Sequence, residues 1–143
     1  MSLLGAIADY YDNGTGTGLD TLRTALGDGE MWADVLPGNV AFPYIALAEV
    51  SRTVATQARA PGNRNRTYDA TVAFAIFATT RSNAEAIADA IDVAYSHEDA
   101  QLSIDGYTHM ATTYANRVSY YDDASDSWRA QIEMQFKISS GSN

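Results

Sequence analysis

Three groups of residues are of types suited to chemistry, and none has the spacing that would commit it to a reaction. His97 and His109 stand twelve residues apart, across an expected helix end and loop. They lack the i, i+4 separation that puts two imidazoles on one helical face for a metal. They read as exposed or locally hydrogen-bonded side chains; a catalytic role would need carboxylates beside them in a cleft. Asp122, Asp123 and Asp126 crowd one short polar stretch. Without the ligand ladder and terminal glutamate of a calcium loop, they are expected to form a solvated turn. Gly14, Gly16 and Gly18 follow no strand and precede no Gly-Lys-Ser/Thr, so they make a turn rather than a phosphate cradle. Cysteine is absent, which removes disulfides, thiolate chemistry and cysteine-rich zinc sites. No Gly-x-Ser-x-Gly elbow occurs. The sequence therefore points away from an enzyme and implies no cofactor and no metal.

The distribution of charge carries more information. The chain has a net charge of -9, yet residues 51–66 hold Arg52, Arg59, Arg64 and Arg66 with no acid among them, so that stretch is +4 and the remainder -13. An acidic chain disfavours broad binding to nucleic acid, and the scarcity of aromatic residues near these arginines disfavours a platform for stacking single strands. Three readings of the stretch remain open: a soluble loop, an arm that docks on an acidic protein surface such as another copy of this chain, or a local contact to nucleic acid.

The elements that must position these groups follow from periodicity. A chain of 143 residues with 46% hydrophobic and 19% charged residues fits one globular domain, 1–143. Its longest apolar run, 72–78, is too short to cross a bilayer, and its start has no leader pattern, so no membrane contact is expected. Leu3, Ile7 and Tyr10, then Leu19, Leu22 and Leu26, set out two N-terminal helices separated by the glycine turn. Residues 44–50 and 68–77 read as strands. Between them, 51–67 is expected to be a mobile basic loop or the projecting end of a hairpin. Ser82 and Glu85 match a capping box, opening a helix whose narrow stripe of Ala84, Ile87, Ala88, Ile91 and Ala94 suits close packing on a sheet.

A final hairpin joins 110–121 to a strand with near-perfect alternation. Trp128, Ala130, Ile132, Met134, Phe136 and Ile138 share one face, and Arg129, Gln131, Glu133, Gln135 and Lys137 share the other. The expected fold is α+β, in the order α-α-β-β-α-β-β: a mainly antiparallel four-stranded sheet covered by a helix, with N-terminal helices and a flexible tail over 139–143. The polar face of the last strand, at Arg129, Glu133 and Lys137, is a candidate contact surface. The arginine stretch and the aspartate turn are the others.

The order of parts resembles the tail-terminator or tail-completion proteins of long-tailed bacteriophages and related particles. The likeness runs through the N-terminal helices, Ala41-Phe42-Pro43-Tyr44-Ile45 before the first strand, and the polar loop after it. It continues through 68–79 leading into Arg81-Ser82-Asn83-Ala84-Glu85, and the closing hairpin with 128–138. The resemblance implies a structural virion protein of the tail or neck, assembled in the host cytoplasm. It would close the tail tube as a ring, usually of six copies, end tail elongation and offer a surface to the head side. Implied partners are other copies of itself, the tail tube protein and the head-side connector or stopper protein, with a passing contact to DNA in the lumen. Such a ring uses heterologous contacts, so each copy needs two different complementary patches. Two alternatives stand beside it: another neck protein, such as a head-completion or stopper factor, and a small-molecule-binding regulatory domain with its ligand between helix and sheet.

Overall fold

Alternation in the last strand divides the molecule into two faces. Along β6 (Ser127–Ser139), Ala130, Ile132, Met134, Phe136 and Ile138 are buried, while Arg129, Gln131, Glu133, Gln135 and Lys137 stay partly exposed on the other side. Antiparallel β3 (Arg66–Ala78) pairs with β6 along its length, placing Tyr68, Ala70, Val72, Phe74 and Ile76 opposite the buried set. The protein is described by a computed structural model covering residues 2–27, 29–33, 41–57, 66–96, 100–124 and 126–140.

The remaining elements are α1 (Leu3–Asn13), α2 (Thr17–Leu26), β1 (Met31–Trp32), β2 (Tyr44–Gln57), α3 (Arg81–Ser96), β4 (Ser103–Ile104) and β5 (Tyr107–Asp122). The expected four-stranded, mainly antiparallel sheet is thus corrected. The sheet is mixed and six-stranded, in the order β1-β2-β3-β6-β5-β4, with β1 parallel to β2, and it curls into a half-barrel beside three helices. Two strands escaped sequence reading because each has only two residues, too few to show a period. The curl is favoured by bulges in β2 after Glu49 and Val54, and in β5 after His109 and Tyr114, since each extra residue bends its strand.

Within the stretch 51–67, residues 51–57 continue β2 and 66–67 begin β3. Arg59 and Arg64, at 58–65, lie outside the described residues. In the expected tail, Ser139 belongs to β6, and the Ser140 amide donates to the Arg66 carbonyl at 2.8 Å.

Helix α3 lies between the sheet and α2, which explains why its buried set is broader than one stripe: Ala90 and Tyr95 join Ala84, Ile87, Ala88, Ile91 and Ala94. It packs so tightly on α2 that a Cβ built on Gly18 would stand 3.0 Å from the Ala94 Cα. Its N-terminus is capped by Thr80, whose Oγ1 accepts from the Asn83 amide at 3.1 Å, and not by the Ser82–Glu85 box. Glu85 instead pairs with Arg81 at 3.0 Å. Tyr95 is the hub of the layer. Its hydroxyl donates to the Ile7 carbonyl of α1 at 2.7 Å, and its ring meets Tyr10, Phe74 and Phe136. Arg23 closes the end of α1, donating to the carbonyls of Tyr11 (2.6 and 3.0 Å) and Gly14 (2.7 Å). These carbonyls have no further helical turn to bond, and a cation is favoured there.

Candidate interaction surface

The helices cover one face of the sheet and leave the other open. Small side chains line much of the open face: Ala46 and Ala48 of β2 stand opposite Ala75 and Ala73 of β3, which in turn face Gln131 and Glu133 of β6. At one end an aromatic ladder crosses all four long strands. Phe42 stacks on Tyr44 (5.7 Å) and Tyr44 on Phe77 (4.5 Å). The Arg129 guanidinium then lies 4.2 Å from the Phe77 centroid and 5.8 Å from that of Tyr120. Arg129 also pairs with Asp122 at 3.6 Å. This candidate contact residue is therefore held by its own chain, stacked and charge-balanced.

The aspartate turn is similarly occupied. Asp122 accepts from the Ala124 amide at 3.1 Å, and the Tyr121 hydroxyl donates to Asp126. That bond and the surrounding acids raise the Tyr121 pKa. Asp123 is exposed at the tip. Glu133, midway along the open face, accepts from Gln131 Nε2 at 3.4 Å. At the far end Lys137 Nζ stands 3.9 Å from Asp69 Oδ1, too far for a hydrogen bond, so that buried oxygen is compensated by charge alone.

Of the arginine group, Arg52 projects from β2 on the helix-covered side, beyond the helices. It is clamped by Glu49 (2.7 and 3.0 Å) and lies 5.5 Å from the ring of Tyr107 in β5, which meets Tyr68 edge-on. This contact spans the two intervening strands and roofs the core at that end. Arg66 is exposed at the start of β3. Arg66 and the aspartate turn therefore sit at opposite ends of the sheet, roughly 40 Å apart along the 13-residue β3, and Arg52, level with Ala70, is roughly 26 Å from the turn end. No one copy brings them together.

His109 is buried on β5. Its Nδ1 accepts from the Leu102 amide at 3.2 Å and its Nε2 lies 2.7 Å from Thr112 Oγ1, so the imidazole ties the 100–102 segment to the strand. Burial lowers its pKa, opposed by backbone groups of Ala111 and Ala100. His97 lies outside the described residues. Among the described residues no three metal-ligating side chains come together. A hollow of about 600 Å³ opens to solvent between the 15–18 turn and Val93–Ala94 of α3, and no charged side chain lines it.

Sequence reasoning missed the sheet edges. β4 covers β5 only at Tyr107 and Thr108, and β1 covers β2 only at Ile45 and Ala46. Among the described residues the rest of each edge has no outer strand. Val50 and Val54 on β2, and Met110, Tyr114 and Val118 on β5, are each about half exposed. A long edge bearing apolar side chains is a template for pairing with another chain. The available signal was the lack of alternation across 110–121, where no face is consistently apolar.

No family model and no curated protein sequence matches the chain. In structure it is similar to a chain from the virion of a native gene transfer agent (GTA) particle, with a TM-score of 0.65 at 18% identity, over 96% of this chain and 95% of that one. At that identity the likeness establishes a shared fold.

Proposed function

We propose that this chain is a structural virion protein acting as a tail terminator. It closes the tail tube as a ring, probes no substrate, and presents a surface for joining to the head side. The observation that carries this reading is the end-to-end likeness to a chain of a phage-like particle, with nearly all of both chains covered. It is supported by the two open sheet edges, since a closed ring needs two unlike patches on every copy. Neighbouring copies, the tube protein and the connector or stopper are the proposed partners, and six is the proposed ring number. The arginine end and the aspartate end of the sheet, facing opposite ways along the strands, suit contacts above and below such a ring. A neck protein of the stopper type would share these features. A regulatory binder is less favoured, because Ala84 and Ala88 are buried in tight packing and the hollow beside Ala94 lacks charged groups.

The test is to image particles assembled without the protein. Overlong or headless tails are expected. Particles of normal tail length and normal head attachment would reject the reading, and loss of filled heads with normal tails would favour the stopper instead.

A further inference from the structure

We infer that copies of this chain join by strand pairing, the β5 edge of one running antiparallel beside the β2 edge of the next. This names the contact within the ring proposed above and rests on that reading for closure of the ring. The four long strands alternate in direction across β2, β3, β6 and β5, so β2 and β5 run oppositely. A second copy related by rotation about an axis along the strands therefore sets its β2 antiparallel to the first copy's β5, and the sheet continues without a break in pattern.

The open parts of the two edges also stand at the same height. Following paired residues across the sheet, Leu47, Phe74, Ile132 and Arg117 form one level, and Val54, Tyr68, Ile138 and His109 another. Between these levels β2 is clear of β1 and β5 is clear of β4. A rotation without a shift along the strands thus brings open edge to open edge.

The bulges match as well. From the Ile132 level to the Ser139 level, β6 takes eight residues, whereas β2 takes ten (47–56) and β5 takes ten (108–117). In both edges the extra residues adjoin the same two levels, Val72–Met134 and Tyr68–Ile138. Bulges shield an edge when its neighbour cannot follow the bend; two edges bent at the same heights can lie together. Side chains agree with the register. Tyr114 of one copy falls level with Glu49 of the next, and Arg117 lies diagonal to that Glu49, with no like charges opposed between these levels.

The absence of cysteine makes the test direct. Ser51 and Thr113 share a level on the open face, as do Thr53 and Ala111. Particles carrying the S51C/T113C or T53C/A111C chain are expected, on mild oxidation, to yield a ladder of covalent oligomers up to the ring number, whereas each single variant yields none. In parallel, amides of 47–54 and 109–117 should gain about tenfold or more hydrogen-exchange protection on incorporation. Particles that contain the chain but give neither ladder nor protection would overturn the strand pairing and leave the ring reading standing. If particles assemble normally without the chain, the ring reading falls. The pairing is then decided on concentrated purified protein, where the same ladder upholds it and only monomer overturns it.

Discussion

Gln135 and Phe136 are neighbours on β6 and face opposite ways. Phe136 is fully buried, ringed by Phe74, Tyr95 and His109, whereas Gln135 stands partly exposed between Thr71 and Thr113. One face of the sheet is filled by large apolar groups interlocked with three helices. The other is floored by alanines, with its few large side chains collected into one ladder around Arg129. The covered face can be read as the source of stability, and the open face and its edges as the part free to vary with a partner.

The widest gap between the faces should appear in a matched pair of truncations. Phe136→Ala is expected to lower unfolding free energy by about 3–5 kcal/mol, and Gln135→Ala to change it by less than about 0.5 kcal/mol, both read by denaturant titration. Comparable losses would break the comparison. Next comes the polar seam of the helical layer: Arg23→Ala strips partners from the Tyr11 and Gly14 carbonyls and should cost about 2 kcal/mol. Arg129→Ala sharpens the reading of the open face. Losing its place between Phe77 and Tyr120 should cost about 1 kcal/mol, and a loss matching that of Phe136→Ala would make the ladder a second core.

The smallest effect is with pH. Because burial lowers the His109 pKa, the unfolded chain takes up the proton first as pH falls below the ordinary value of 6.5. The stability held above that pH is therefore lost as pH drops from 6.5 toward the lowered native value, and no further below it. His109→Gln should flatten this slope in thermal melts taken between pH 7.5 and pH 5, conditions bracketing the ordinary histidine range; an unchanged slope would assign the dependence to carboxylates.

Local pattern made much of the covered face legible. The alternation of β6 and the Leu19, Leu22, Leu26 stripe both end up buried where periodicity placed them, because burial on one face imposes a repeat on the sequence. Pairings over long distances were not legible. The two-residue β1 takes its place from a parallel partner 14 residues on, Met31 with Ile45, and no local repeat encodes that. The adjacent Tyr120 and Tyr121 of β5 both remain partly exposed, one under Arg129 and the other against Trp128. For the candidate contact residues, residue type alone could not separate a free charge from an engaged one. Arg52, Arg129 and Asp122 looked available in sequence, and each is bound within its own chain.

The bond from Tyr95 to Ile7 has a consequence for the order of events during synthesis. It joins groups 88 residues apart, and the helix that carries Tyr95 is also what α2 packs against. Helices α1 and α2 emerge from the ribosome first, and Tyr95 follows Ile7 only after roughly 4–18 s of further translation at ordinary rates. During that interval their leucine faces are available to chaperones or to other nascent chains. Slowing translation through the β2–β3 hairpin should therefore reduce the soluble yield more than an equal pause placed after residue 96.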